Sequence, residues 1–276
     1  MIHLGLIGFP LGYSLSPKIH TAALKACGLQ GDYSLFPIHP DDKQGLKDLL
    51  ARVRSGEITG LNVTIPHKQN VIEFMDELDL TAQAIGAVNT IYSRDNKLVG
   101  DNTDAFGFLK DLNHFLARNQ SKIVKRKSAI ILGAGGSARA VVYALLNDGW
   151  NVNITARRIE QAQELSWRFV GVNVMELNFQ TFNLSYLQLI VNTTPIGMTP
   201  NIDQSPLPEK LSLPSNTLIY DLVYNPRETK LVKDAHTQGL QATTGLGMLI
   251  EQASLSFEIW TGHNPPREIL LQSVDQ

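Results

Sequence analysis

The chain is 276 residues long, 43% hydrophobic and 18% charged, with a formal net charge of −2. That composition belongs to a globular protein and excludes a disordered chain, while the length suffices for two domains, each with its own core. The near-neutral charge argues against nucleic-acid and anionic-membrane partners, the one cysteine, Cys27, excludes an internal disulfide and fits a reducing cytoplasm, and no apolar run approaches the length of a membrane span.

The N-terminus, Met1 to Gly8, is apolar, but it is short for a signal peptide and lacks a basic start. It reads as a buried first strand over Leu4–Ile7. A turn carrying Ser14 and Ser16 follows, then a helix over Pro17–Cys27 with Ser16 as its N-cap and Pro17 at the first helical position. Hydroxyl donors beside the positive end of a helix suit an anion. Capping alone explains Ser16 more readily than Ser14. A strand over Tyr33–Ile38, an amphipathic helix over Asp41–Val53 and a strand over Gly60–Ile65 come next, the last stopped by Pro66. In open α/β sheets ligands gather beyond the carboxyl ends of strands, where Asn62, Thr64 and Lys68 would project. His67 reads as structural.

Helices are expected over Lys68–Met75 and Thr81–Ile85, then a hairpin of Ala87–Tyr92 with Lys97–Gly100 around Arg94-Asp95-Asn96. The βαβα order predicts a mostly parallel sheet with covering helices. Asn89 and Asp104 add polar groups at segment ends, although Asn89 can also serve a turn, and Asn102 or Thr103 can cap the next helix. Together the Ser, Thr, Asn, Asp and Lys side chains suit a small polyhydroxylated acid. The histidines show no metal-ligand spacing. A helix from Thr103 to Arg118 should lead into a second domain. The basic cluster Lys122, Lys125, Arg126 and Lys127 has no interleaved aromatic residues and reads as a solvated connection.

The second domain opens on the strongest motif of the chain. An apolar strand ending at Leu132 runs into Gly133-Ala134-Gly135-Gly136-Ser137, and a helical pattern over Ala138–Leu146 follows. Gly133 permits the tight turn and Gly135 lets the backbone approach a pyrophosphate. The helix end directs its N–H groups and dipole at phosphate. A second strand, Asn151–Thr155, ends in Ala156-Arg157-Arg158. A carboxylate at that tip would accept from a ribose 2′-OH, whereas arginine suits a 2′-phosphate, so NADP(H) is expected in preference to NAD(H). Further strands are expected at Leu189–Asn192 and Leu218–Leu222. Leu246–Trp260 is a helix with Leu249, Ile250, Ala253, Phe257 and Trp260 at helical spacing; it is expected to return to the first domain. The domains are then 1–103 with 245–276, and 104–244.

With these residues assembled, the chain resembles the shikimate dehydrogenases over nearly its whole length. The resemblance rests on Ser14-x-Ser16-Pro17, Asn62-Val63-Thr64 with Pro66 and Lys68, Gly86 to Thr90, Gly100 to Gly107, Gly133 to Gly136, Asn192 to Met198, Asp221 to Tyr224 with Pro226, and Gly245 to Ala253. It implies an α/β fold of two domains with a cleft between them: an N-terminal, mostly parallel substrate domain and a Rossmann-type dinucleotide domain. The implied activity is NADP-linked reduction of 3-dehydroshikimate to shikimate by a cytoplasmic monomer or homodimer. Ser14, Ser16 and Tyr224 would bind the substrate carboxylate, and Thr64, Asn89, Asp104 and Gln252 the ring hydroxyls. Lys68 would be catalytic with Asp104 beside it. Thr193, Leu222 and Gly245 would meet the cofactor, together with Gly133, Ala134, Gly135, Gly136, Ser137, Ala156, Arg157 and Arg158. Three positions depart from the family pattern: Tyr13 where histidine is usual, Thr21 after His20 where asparagine is usual, and Ala156-Arg157-Arg158 for Asn-Arg-Thr. Loss of the asparagine removes a hydrogen bond on the adenosine side, and Arg158 adds charge near the 2′-phosphate. Three rivals share the architecture: one is an NAD-linked quinate/shikimate dehydrogenase, against which the arginines and serines argue, and another a folate-linked dehydrogenase, which the polar set fits less well. A third, a silent NADP-binding protein, is opposed by retention of Lys68 and Asp104.

Overall fold

In the computed structural model, which describes residues 1–118, 127–176, 186–209 and 211–275, the chain divides into two compact units: Met1–Gly107 with Leu249–Gln276, and Phe108–Met248.

The first unit is built on strands β1 (Ile2–Gly8), β2 (Gly31–Pro37), β3 (Gly60–Val63), β4 (Glu77–Leu78), β5 (Thr90–Arg94) and β6 (Lys97–Asp101). They form one six-stranded sheet in the order β2-β1-β3-β5-β6-β4. β1 pairs in parallel with β2 and β3, and β4 with β6, while β5 runs antiparallel to both its neighbours. Reversal of β5 follows from the tight turn at Asp95 and Asn96, both at positive φ (52° and 62°), the conformation a two-residue hairpin requires. Helices α1 (Ser16–Ala26) and α2 (Lys43–Arg54) follow β1 and β2. Leu46, Leu49, Leu50 and Val53 of α2 pack with Ile7, Leu61, Val63 and Ile91 of the sheet to make the apolar core.

Several boundaries differ from expectation. Ser16 is not the N-cap of α1: Leu15 precedes the helix without a side-chain cap, Ser16 is its first residue, and Pro17 comes second. The Ser14 hydroxyl accepts from the Ser16 N–H at 3.2 Å, so the side chain two residues earlier takes the capping duty. The helix expected over 68–75 is one turn, α3 (His67–Asn70), continued as a 3₁₀ turn over Val71–Phe74. β3 stops at Val63 because Thr64 turns back: its carbonyl accepts from His67 N–H. α4 (Leu80–Ile85) ends on Gly86 in the left-handed conformation. β4 and the last helix, α10 (Arg267–Gln272), carry too few residues for a periodic signal.

α1 also buries a histidine. The His20 ring stacks on Tyr33 at 4.4 Å and lies 5.5 Å from the ring of Trp260. Neither ring nitrogen has a hydrogen-bond partner among the described residues. Burial, opposed in part by the neighbouring Asn62 amide, pushes its pKa down to about 3.

The chain passes into the second unit within α5 (Asp104–Arg118) and returns within α9 (Leu246–Thr261). The second sheet comprises β7 (Ser128–Leu132), β8 (Asn151–Thr155), β9 (Val172–Val174), β10 (Leu189–Asn192), β11 (Leu218–Asp221) and β12 (Gln241–Thr244). Its order is β12-β11-β10-β7-β8-β9, and every pair is parallel. β10 and β11 are buried at every residue, as strands covered on both faces must be. The crossovers include α6 (Gly136–Asn147), α7 (Ile159–Arg168) and α8 (Lys230–Thr237). The sequence pattern assigns no element to α7, β9, α8 or β12. Lys122, Lys125 and Arg126 lie outside the described residues. Lys127 is not freely solvated: its ammonium donates to the Asp148 carbonyl and carboxylate, both at 2.8 Å.

His20 gives the fold a defined acid response. The unfolded chain takes up the imidazole proton near pH 6.5 and the folded chain only near pH 3. Between those values the unfolded state holds more protons, so the stability contributed by neutral His20 is complete above 6.5 and is lost as pH falls, at about 1.4 kcal/mol per pH unit. Urea unfolding from pH 7 to pH 4 should therefore show a steeper loss for wild type than for His20→Leu. Parallel slopes would contradict a buried neutral ring.

Candidate functional site

At the carboxyl ends of β1 and β3 two polar segments lie side by side. Phe9 N–H donates to Ile65 O, and Ser14 N–H to Leu11 O. Ser14 is half-buried and Ser16 buried on the first of these segments, with Thr64 half-buried on the second. Lys68 follows on α3, and its backbone carbonyl accepts from Val88 N–H at 2.7 Å. That bond stitches the lysine to the stretch that carries Asn89.

Lys68 and Asp104 form an ion pair, Nζ to Oδ2 at 2.5 Å, with side-chain exposures of 12% and 5%. Such a pair survives burial only when its remaining polar atoms are also satisfied. The second oxygen, Asp104 Oδ1, accepts from Asn89 Nδ2 at 2.9 Å. The same amide donates to Thr103 Oγ1 at 2.9 Å and to Gln252 Oε1 at 3.3 Å. Its oxygen accepts from Thr103 N–H at 2.8 Å and from Thr90 Oγ1 at 2.9 Å. Asn102 Oδ1 accepts from Asp104 N–H at 3.1 Å, so Asn102 caps the start of α5. Gln252, on α9, is fixed by its own donation to Leu249 O at 2.8 Å.

The first unit thus brings Lys68, Asp104, Asn89 and Gln252 into one hydrogen-bonded group, with Ser14, Ser16 and Thr64 at neighbouring strand ends. Tyr224 belongs to the second unit, where burial raises its phenol above the usual pKa. Asn62 does not project to the ligand side. It is buried and fully used within the fold: it accepts from Tyr33 OH at 2.9 Å and donates to Asn89 O at 3.2 Å and Ser256 Oγ at 3.0 Å. Ser256 also meets Thr90 Oγ1 and Thr103 Oγ1, at 2.7 and 3.0 Å. Nothing local marks Ser256 as part of this network, because its partners lie more than 150 residues away in sequence. His67 is structural: its Nε2–H donates to Ile38 O at 2.7 Å.

In the second unit the residues expected to meet a cofactor lie at or just beyond strand carboxyl ends. Gly133 leaves β7 at φ +108°, and a Cβ there would sit 2.6 Å from Thr193 Oγ1. Gly135 precedes α6 with no side-chain cap, so N–H groups of the first turn are left for an outside acceptor. A Cβ at Gly135 would meet nothing within 4 Å, leaving a cradle into which a phosphate fits. Ala134, Gly136 and Ser137 complete the turn. Ala156 follows β8, and Arg157 and Arg158 are exposed at its tip. Thr193 follows β10, with its hydroxyl donating to Leu132 O at 2.7 Å. Leu222 follows β11 and Gly245 follows β12. The strand order reverses between β7 and β10, and in such sheets the crevice at the reversal takes the dinucleotide. These residues fit NADP(H): open N–H groups for the pyrophosphate and two cations for a 2′-phosphate.

Sequence reasoning named Asp221 within a motif but gave its carboxylate no role. Asp221 is fully buried at the end of β11. It accepts from Asn192 Nδ2 at 2.8 Å, Val223 N–H at 3.0 Å and Thr229 Oγ1 at 2.7 Å. Burial pushes its pKa up to about 6 against the opposing pull of these donors.

Three family models cover most of the chain: the shikimate dehydrogenase substrate binding domain matches residues 6–91, shikimate/quinate 5-dehydrogenase residues 115–237, and the shikimate 5′-dehydrogenase C-terminal domain residues 245–274. The shikimate dehydrogenase (NADP(+)) of Bacillus subtilis strain 168 is 38% identical over 95% of this chain and 92% of its own length. A crystal structure of a shikimate dehydrogenase in complex with NADP+ superposes with a TM-score of 0.90 at 38% identity, covering 100% of this chain and 95% of that one. The Thermus thermophilus enzyme in complex with NADP(H) and shikimate gives 0.86 at 34% identity, covering 99% and 98%. A polar group centred on a paired lysine in one unit, a phosphate cradle in the other and relatives matched over nearly their whole length agree: the chain belongs to the shikimate dehydrogenase family.

Proposed function

We propose that this chain catalyses the reversible, NADPH-dependent reduction of 3-dehydroshikimate to shikimate, a step of the shikimate pathway that leads to the aromatic amino acids. The observation that carries the reading is the Lys68 ammonium seated on Asp104 within the Asn89–Gln252 group. It puts a proton donor among side chains that can hold ring hydroxyls. The first unit, Met1–Gly107 with Leu249–Gln276, serves as the substrate-binding catalytic domain and so keeps Asp104, a few residues past the boundary expected at 103; the second, Phe108–Met248, serves as the NADP-binding domain. The single cysteine and the charge near zero suit a cytoplasmic enzyme whose partners are small molecules.

NADPH, when held in the second unit, would supply the hydride that the carbonyl carbon of the substrate takes up. The chain does the rest. Lys68 donates a hydrogen bond to the carbonyl oxygen, stabilises the negative charge that develops there and delivers a proton to it. In the reverse direction the neutral amine takes that proton back. Asp104 holds the ammonium in place and accepts from a ring hydroxyl. Asn89, Thr64 and Gln252 bind the remaining ring oxygens, and Ser14 and Ser16, with the Tyr224 hydroxyl, donate to the carboxylate. On the cofactor side the first turn of α6 and Gly133 to Ser137 hold the pyrophosphate. Arg157 and Arg158 hold the 2′-phosphate beside Ala156, and Thr193, Leu222 and Gly245 meet the nicotinamide end.

Shikimate with NADP+ should be oxidised much faster than quinate with NAD+, followed by nicotinamide absorbance; the opposite preference would overturn the assignment. Lys68→Ala should lower kcat by about a hundredfold or more with little change in KM for shikimate. Near wild-type turnover would remove the lysine from the chemistry. Arg157→Ala should raise KM for NADPH by about tenfold, the loss of one charge-assisted contact, and leave KM for NADH nearly unchanged. Equal losses with both cofactors would contradict the 2′-phosphate role.

A further inference from the structure

At the end of β11 the second unit buries a carboxylate, Asp221, to which neither the family resemblance nor the proposed chemistry gives a task. Asp221 has three partners among the described residues, all neutral donors: the Asn192 amide, the Val223 N–H and the Thr229 hydroxyl. A charge buried without a counter-ion is costly, and a neutral side chain of the same size would fill the space at less cost. The donors explain why the carboxylate stays.

Each donor leads to a different segment at the carboxyl end of the sheet. Asn192 ends β10, and its side-chain oxygen accepts from Thr194 N–H at 3.0 Å and Thr194 Oγ1 at 2.7 Å. The Asn192 carbonyl accepts from Leu222 N–H at 2.9 Å. Val223 follows Leu222, and its carbonyl accepts from Gly245 N–H at 3.3 Å. The contact there is close: a Cβ on Gly245 would fall 2.2 Å from Leu222 O. Thr229 caps α8 by accepting from Val232 N–H. Thr193, Leu222 and Gly245 therefore all lie on, or directly beside, segments tied to one carboxylate.

We propose that Asp221 is a positioning residue for the nicotinamide end of the cofactor, fixing the Leu222–Val223 peptide against Asn192 and Gly245 through Val223 N–H, Asn192 and Thr229. The inference rests on the reading above that Leu222 and Gly245 meet that end. It separates two halves of one ligand. Loosening this knot should weaken contacts to the nicotinamide end and leave those to the adenosine end, which depend on α6 and on Arg157 and Arg158, unchanged.

Calorimetric titration with NADPH and with 2′,5′-ADP, which carries the adenosine and its 2′-phosphate but no nicotinamide, tests this without recourse to activity. Asp221→Asn presents an N–H where the carboxylate accepts. It should weaken NADPH binding by about tenfold, the scale of one hydrogen bond to a charged group, while 2′,5′-ADP binds as to wild type. Thr229→Val should act in the same direction, and Thr229→Ser, which keeps the hydroxyl, should restore NADPH affinity. The Thr229 pair decides the matter if Asp221→Asn does not fold. Folded variants that bind NADPH within about twofold of wild type, or that lose 2′,5′-ADP equally, overturn the inference alone. Wild-type protein that binds neither ligand overturns the functional reading and this inference with it.

Discussion

The side-chain amide of Asn89 is the point on which the first unit turns. Lys68 and Asp104 are buried together, and an ion pair in that position gains little unless every remaining lone pair and proton is met. Asn89 meets them. One face of its amide donates to Asp104, Thr103 and Gln252, and the other accepts from Thr103 and Thr90. The same side chain therefore closes the ion pair, orients a group on α9 and anchors the start of α5. Its main chain is held as firmly, between the Asp101 carbonyl on one side and Val63 N–H on the other. The placement of Lys68 and Asp104 is bound up with satisfying buried polar atoms.

The second unit solves a different problem with backbone in place of side chains. An all-parallel sheet ends every strand on the same side, and the loops there hold open N–H groups that the strands no longer pair. Gly133 and Gly135 keep that surface clear of side-chain atoms, and the first turn of α6 supplies partial positive charge without a titratable group. Full positive charge is supplied by the two exposed arginines at the tip of β8. Asp221 balances the arrangement from beneath, by holding the loops in register while remaining shielded from solvent.

What the sequence discloses and what it hides have physical causes. The turn from β7 into α6 is legible because an apolar strand, two glycines and a helix lie within about twenty residues of one another, the span of a strand–turn–helix unit. Lys68, Asn89 and Asp104 stand out in the sequence because each is a polar residue in a short segment bordering an apolar strand. Ser16 misleads because serine before proline looks like a cap, while the true acceptor sits two residues earlier on Ser14. Asn62 misleads because strand alternation says which face a side chain takes, not whether that face is already occupied by Tyr33 and Ser256. α7, β9, α8 and β12 escape notice: short amphipathic segments with ordinary composition draw their stability from packing on the sheet, which no local window contains. Asp221 is visible as a letter in a motif, but its importance lies in three donors that only the folded loops bring together.

Interruption of the first unit by the second has a price in time during synthesis. Asn62 waits for Ser256, a partner 194 residues later, and His20 waits for Phe257 and Trp260 to complete its aromatic surround. At ribosomal speeds of about 5–20 residues per second, that is a delay of roughly ten to forty seconds. The nascent chain thus carries an unclosed polar core while the inserted unit, contiguous in sequence, is free to mature on its own. Lys68 is made in the first quarter of the chain, and the group around it is completed only when Gln252 of α9 arrives.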